Sequence, residues 1–431
     1  MHSQRGAALL ALILLAITTV WVIYVAATAF PTGLFATALI ALAFVLAWQS
    51  LGATVAARVL AAAAVLCLGA ALLLLAIEKL WLDLSVIALL LVVSAAATKR
   101  TFRSSADLPK VARPKHPVVV WNPKSGGGRA VTANLEAEAK ARGFTTIELH
   151  EGDDLEALVR TAIDRGADAL AAAGGDGTQA IVAGIAVERG LPFACIPAGT
   201  RNHFALDLGV DRDDLVGSLD AFVDGKERVV DLGYVNGSPF VNNVSAGLYA
   251  EAVHEAGYRE AKIRTLLGVG TRSLGEGGEA PDLRYLDRDG NERDSAAMIL
   301  VSNNAYRLGA KPATGSRPRM DEGKLGVTVA SAPGDPDVGQ GRSQRKLLQQ
   351  WTVESFRIDS TEPVALGVDG EKRTVEPPAV FEVKPGALRV RIAAHHPGAS
   401  PSAAIPPSVR EGIAELLAIA SGASTRVEEP S

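Results

Sequence analysis

Three short segments set glycine beside hydroxyl, amide or carboxylate groups: Asn122-Pro123-Lys124-Ser125-Gly126, Gly174-Gly175-Asp176-Gly177-Thr178 and Pro197-Ala198-Gly199-Thr200-Arg201-Asn202. Glycine admits positive φ and close backbone approach, and the first turn of a helix leaves N–H groups without partners. A segment of this kind between a strand and a helix can therefore cradle phosphate. The second segment carries the strongest signal. It is neither a Walker A loop nor the Rossmann glycine pattern. Alone it reads equally as a tight turn with an aspartate cap, but three such turns on one rim exceed what chain reversal requires. Asp369-Gly370-Glu371 adds two carboxylates, although a turn of this composition is in isolation an ordinary hairpin.

The elements around these segments place them. Residues 118–121 form a short β-branched run ending at Asn122, and residues 132–142 follow at helical density. Residues 144–149, 168–173 and 193–196 read as strands, alternating with helices over 155–165 and 179–189. Such alternation predicts a parallel α/β sheet with its loops at the carboxyl ends of the strands, which puts all three glycine segments on one edge. From Arg228 onward the texture becomes β-rich, over 229–235, 240–244, 297–301, 325–330, 351–358, 379–383 and 388–392, with turns at Asn236-Gly237, Asp289-Gly290 and Pro385-Gly386. A mainly antiparallel second domain is expected. Residues 268–281 and 334–345 read as loops, and 409–420 as a short amphipathic helix that packs back on the first domain.

The chain has 431 residues, enough for two or three domains. Its apolar content is concentrated: between residues 7 and 97 the charged groups are Arg58, Glu78, Lys79 and Asp83. Residues 7–29 would form a helix of about 34 Å, long enough to cross a hydrocarbon core of about 30 Å. Further spans are expected over 33–48, 59–77 and 80–97, four in all. Residues 1–115 carry nine Lys and Arg against three Asp and Glu, whereas the remainder carries 34 against 44. With four spans the basic residues fall on one side, which predicts cytoplasmic termini. The acidic remainder argues against a nucleic-acid binder. Cys67 and Cys195 form no disulfide framework and no metal-ligand spacing.

NPKSG, GGDGT, PAGTRN and VDGE, in this order, resemble the diacylglycerol kinase catalytic domain family of lipid kinases, which includes sphingosine kinases and bacterial diacylglycerol kinase-like proteins. The likeness covers about residues 116–394 and is supported by residues 240–245 and 321–325. It implies a phosphofructokinase-like α/β domain followed by a β-sandwich domain, ATP with Mg²⁺, and phosphoryl transfer to the hydroxyl of a membrane lipid such as diacylglycerol, giving phosphatidic acid. The resulting division is a membrane region over 1–98, a basic linker over 99–115, a nucleotide-binding domain over 116–228, a lipid-substrate domain over 229–395 and a tail over 396–431. By the same resemblance Asn122, Pro123, Lys124, Ser125, Gly126, Gly174, Gly175, Asp176, Gly177, Thr178 and Thr200 contact ATP. Asp176 holds phosphate or metal, and either Asp369 or Glu371 accepts the proton. Together with the spans, this implies an integral protein of a bacterial plasma membrane with its catalytic domain in the cytoplasm.

Departures bear on activity. Where many relatives have Asn and Glu after GGDGT, this chain has Gln179 and Ala180, and His150 replaces a common Thr. These keep open a catalytically silent nucleotide-binding scaffold, which the retained Asp176, Asp369 and Glu371 oppose. A kinase of a soluble acceptor such as NAD, whose enzymes share GGDGT, is opposed by the spans and by NPKSG. Arg201 is a candidate phosphate clamp. His203 reads as structural or as part of a lipid cleft, and His395-His396 as a solvated terminus.

Overall fold

The computed structural model describes residues 2–28, 81–101, 108–247, 282–294, 296–306, 316–331, 348–400, 403 and 409–421, with isolated positions between 31 and 70. Contacts divide the chain into two units, Met1–Arg103 with Ala404–Ser431, and Ser104–Ala403.

In the first unit, α1 (His2–Thr28) packs with α2 (Trp81–Thr101) and with the C-terminal helix Val409–Ser421. Ala8, Ala11, Ala97, Leu416 and Ala420 are buried where the helices meet, the small side chains letting the backbones approach. Arg5 Nε donates to Ala420 O at 2.9 Å, and Trp21 Nε1 donates to Asp83 Oδ1 at 3.0 Å. The C-terminal helix was expected on the first catalytic domain; its apolar face is instead taken up by α1. Residues 7–28 and 81–97 are helical, as expected of the first and fourth spans. Among the described residues one helix, over Arg5–Tyr24, is long and apolar enough to cross a bilayer. The spans expected over 33–48 and 59–77 lie largely outside the described residues, as do the loops 268–281 and 334–345.

The second unit opens with β1 (Pro117–Trp121), α3 (Arg129–Thr132), α4 (Leu135–Ala141), β2 (Thr145–Glu148), α5 (Leu155–Asp164), β3 (Ala169–Ala173), α6 (Asp176–Arg189), β4 (Phe193–Ile196) and α7 (His203–Leu208). The strands β2, β1, β3 and β4 pair in parallel in that order. β1, β3 and β4 are buried at every position, so each reads as an uninterrupted apolar run. Val120, Leu170 and Phe193 face one helical layer; Val119, Ala171 and Ile196 face the other.

The β-rich part follows as β5 (Lys226–Val235), β6 (Ser238–Phe240), β7 (Asn243–Gly247), β8 (Tyr285–Leu286), β9 (Glu292–Arg293), β10 (Ala296–Asn303), β11 (Leu325–Ser331), β12 (Leu348–Val353), β13 (Ser355–Ile358), β14 (Val364–Val368), β15 (Glu371–Val375) and β16 (Ala379–Ile392). β12, β11, β10, β7, β14 and β15 form an antiparallel sheet. The opposing layer continues the first sheet: β16 pairs in parallel with β4 and antiparallel with β5, which pairs with β6. Val301, Val327 and Leu366 from one sheet meet Val235, Phe356 and Phe381 from the other in the sandwich core.

Four expectations about this unit are corrected. β5 runs through the expected boundary at residue 228, because its first half pairs with the end of β16 beside β4 and its second half belongs to the sandwich. The segment 351–358 divides at Glu354 between two sheets. The segments 379–383 and 388–392 are one strand: Pro385-Gly386 is a bulge, and the Gly386 N–H freed from the ladder donates to Asp231 Oδ1 at 2.8 Å. The basic linker also ends early, since Pro109 O accepts from Glu227 N at 3.0 Å and Ala112 O accepts from Arg391 Nη1 at 3.1 Å.

Candidate active site

β1, β3 and β4 end level with one another: Trp121 lies opposite Ala173, and Ala173 opposite Ile196. The three glycine segments therefore leave the sheet side by side, at the carboxyl edge where α/β folds bind ligands. Their glycines touch. Gly126 has φ +58°, and a Cβ there would strike the carbonyl oxygen of Ala198; a Cβ on Gly199 would lie 2.7 Å from Gly175 Cα. The first segment thus leans on the third, and the third on the second.

Side chains fix this contact. Gln179 is buried, and its Nε2 donates to Ala172 O at 2.7 Å and Ile196 O at 3.0 Å, tying β3 to β4. Asn202 Nδ2 donates to Pro197 O at 3.0 Å and Gly199 O at 2.8 Å, closing the third loop. Arg129 reaches from α3 to Gly199 O at 3.4 Å and Arg212 O at 2.9 Å. In the first loop Asn122 Oδ1 accepts from Lys124 N at 2.9 Å, while Lys124 Nζ lies out in solvent against Glu151 at 2.7 Å. An exposed pair of this kind is worth at most about 1 kcal/mol, so Lys124 can leave it readily. Thr200 is exposed on the third loop.

α6 begins at Asp176 with Gly175 as N-cap and no capping side chain. Its first-turn N–H groups and the helix dipole favour an anion there. Asp176 is half-buried. Burial pushes its carboxyl up, opposed by His203 and by backbone N–H groups at the start of α7, Phe204 N lying 3.4 Å from Oδ1. His203 is exposed at this rim.

The turn between β14 and β15 arrives from the other sheet. Asp369 and Gly370 have φ of +48° and +91°, the left-handed pair that a two-residue hairpin requires. Asp369 turns inward: Oδ2 accepts from Val241 N at 2.8 Å, and Oδ1 from Asn242 N at 2.8 Å and Asn243 N at 3.1 Å. Withdrawal from water pushes its carboxyl up to about 7, with the backbone donors opposing and Asp176 adding repulsion. Glu371 is exposed, and its carboxylate lies over Gly177, where a Cβ would collide with it. The two acids of this turn thus separate into an enclosed one and an open one. The open one stands on the glycine next to Asp176.

Behind the turn lies Arg317, fully buried and paired with Asp207 of α7 at 2.7 Å. Its guanidinium also donates to Val241 O at 2.6 Å, Asn303 O at 2.8 Å and Asn242 Oδ1 at 2.9 Å. It thereby clamps the same 241–243 backbone that holds Asp369. Asp231 plays a parallel part, accepting from Asn304, Gly323 and Gly386 at 2.7–3.0 Å. Arg129, Asp207, Asp231 and Arg317 carried no signal in the sequence, because their partners are remote along the chain.

The second and third glycine loops are thus in contact through Gly175 and Gly199, with a carboxylate on Gly177. Residues 116–235 match the diacylglycerol kinase catalytic domain. A Pseudomonas aeruginosa protein named "Probable lipid kinase YegS-like" is 27% identical over 311 residues, covering 67% of this chain and 97% of its own. The diacylglycerol kinase of Bacillus subtilis is 33% identical over 158 residues, 35% of this chain and 50% of its own. A solved structure from Bacillus anthracis assigned to the diacylglycerol kinases has the same fold, with a TM-score of 0.50 at 20% identity over 65% of this chain and 98% of its own.

The residues at this rim fit a phosphate-bearing ligand with a hard cation such as Mg²⁺. A Cβ at Gly127 or Gly175 would meet nothing, so backbone is open to a ligand there, and the carboxylate of Asp176 is the hard oxygen ligand Mg²⁺ takes. The three departures from the family pattern lie between strands, in the core and on the surface. Gln179 is a staple between strands, Ala180 lies in the core, and His150 is exposed beside Asp153 at 3.5 Å. Cys195 is buried, and burial pushes its thiol well up, which makes it inert.

Proposed function

We propose that the protein is an ATP-dependent lipid kinase that transfers the γ-phosphoryl group to a hydroxyl of a membrane lipid, with diacylglycerol as acceptor and phosphatidic acid as product. The observation that carries this reading is the Glu371 carboxylate lying over Gly177, next to Asp176 in the second of three adjoining glycine loops. The named activities of the relatives support it. When bound, ATP supplies the phosphoryl group and Mg²⁺ neutralises phosphate charge. Residues 122–126 and 174–178 with Thr200 hold the nucleotide, and Asp176 holds the metal. Glu371 orients the lipid hydroxyl and accepts its proton on a carboxylate oxygen, a role open to it because it is exposed. Asp369, with both oxygens engaged by backbone N–H groups, holds the turn that presents Glu371.

The apolar stretch Arg5–Tyr24 supports anchoring at the bilayer where such an acceptor resides. The test is purified full-length protein with labelled ATP and Mg²⁺, offered diacylglycerol, ceramide, a sphingoid base, polyprenol and NAD. Label in the organic phase with diacylglycerol is the expected result. Label in the aqueous phase with NAD, or nucleotide binding without turnover on any acceptor, would overturn it.

A further inference from the structure

Past Ile392 the chain leaves β16 and folds onto the loop that follows α7, which brings His395 and His396 to Asp214. Asp214 Oδ2 lies 3.0 Å from His395 Nε2 and 3.2 Å from His396 Nε2, and the donor atoms of all three residues lie within 4.8 Å of one another. The expected solvated terminus is therefore a built cluster, in which the His396 side chain is 2% exposed.

A tetrahedral ion with bonds of about 2.0–2.1 Å has ligand–ligand edges of about 3.3 Å. The two nitrogen–oxygen separations already match such edges. The carboxylate is oriented from behind, because its other oxygen, Oδ1, accepts from Gly217 N at 2.9 Å and leaves Oδ2 for the histidines. A hydrogen bond to the remaining oxygen is how ligating carboxylates are usually held. His396 Nδ1 is buried without a partner among the described residues, so the ring's polar contact is the oxygen it shares with His395. His395 and Asp214 keep 49% and 40% of their side-chain surface, which gives an ion a route in and a place for water as fourth ligand.

We propose that Asp214, His395 and His396 bind one divalent transition ion of the zinc class, at a site separate from the Mg²⁺ position at Asp176. Two imidazoles and one carboxylate form a donor set that suits zinc better than magnesium. The ion would cross-link the end of β16 to the 210–217 loop. Arg212 in that loop accepts from Arg129 through its carbonyl at 2.9 Å and donates to Arg201 O of the third glycine loop at 3.2 Å. The cross-link would thus steady the support of the phosphate site without entering it.

The test uses tag-free full-length protein in detergent, stripped with a chelator and titrated with Zn²⁺ in excess Mg²⁺, with metal content, heat of binding and Tm as readouts. One zinc per chain is expected, with a rise in Tm and, on substitution by Co²⁺, the intense visible absorption of a tetrahedral site. His395→Ala, at a half-exposed position, should weaken zinc binding by about 10-fold or more with circular dichroism unchanged; His396→Gln is the second variant. Zinc well below one per chain, or equal zinc affinity in wild type and both variants, would leave only histidine–carboxylate hydrogen bonds and overturn the proposal.

Discussion

Asp369 and Glu371 stand two positions apart and are given different work by the backbone around them. Glu371→Gln keeps the size and removes the basicity, so kcat for lipid phosphorylation should fall by about 10²–10⁴-fold with the KM for ATP little changed. A steady-state series in mixed micelles reads this directly, and an unaltered kcat would return the role of base to Asp369. Asp369→Asn should act mainly on stability, because its amide nitrogen would face a backbone N–H where an oxygen now accepts. A buried donor left unsatisfied costs about 1–3 kcal/mol. The pH dependence carries the same signature. The Asp369 carboxyl moves from an ordinary 3.8 to about 7 on folding. Between those values the folded chain keeps a proton that the unfolded chain has lost, so stability falls as pH rises through this window and levels off above it. Thermal melts from pH 4 to pH 8 should show that fall in the wild type and a flatter line in Asp369→Asn.

At the scale of elements, the Asp207–Arg317 pair joins α7 to the 241–243 loop that carries Asp369. Removing one partner of a buried pair strands a charge, so Arg317→Met should cost about 3–5 kcal/mol in urea unfolding. Adding Asp207→Asn should recover part of that loss; a simple sum of the two effects would show that they do not act as a pair. This clamp also marks the limit of what the sequence could tell. The strands 118–121, 168–173 and 193–196 were legible because buried parallel strands are short apolar runs, and each meets a glycine turn whose chemistry is local. Arg317 and Asp207 are 110 positions apart, with nothing around either to point at the other. The division at Glu354 and the joining of 379–392 into one strand were hidden for a related reason. A bulge at Pro385-Gly386 has the composition of a turn, and only the carboxylate of Asp231, brought in from β5, decides between them. The unlike settings of Asp369 and Glu371 likewise depend on the 241–243 backbone, which links β6 of one sheet to β7 of the other.

For the molecule as a whole, the candidate kinase site lies entirely within Ser104–Ala403. A fragment of residues 104–403 should fold alone, bind ATP and phosphorylate short-chain diacylglycerol in micelles, while losing most of its activity on vesicles. Full activity on vesicles would deny the N-terminal helices a part in reaching the substrate. A cut at residue 113 should instead destabilise the fragment, since it discards Pro109 and Ala112, which accept from Glu227 and Arg391.

The long pairing of β5 with β16 runs from the parallel strands into the sandwich, interrupted by the bulge at Pro385-Gly386. Many enzymes that handle nucleotides close two lobes about a hinge. Here the covalent path from one lobe to the other is a hydrogen-bonded ribbon on both sides of the bulge, so any bending between the lobes would fall at Pro385-Gly386 and not within either ladder. Each lobe is thereby built partly on the same two strands, β5 and β16.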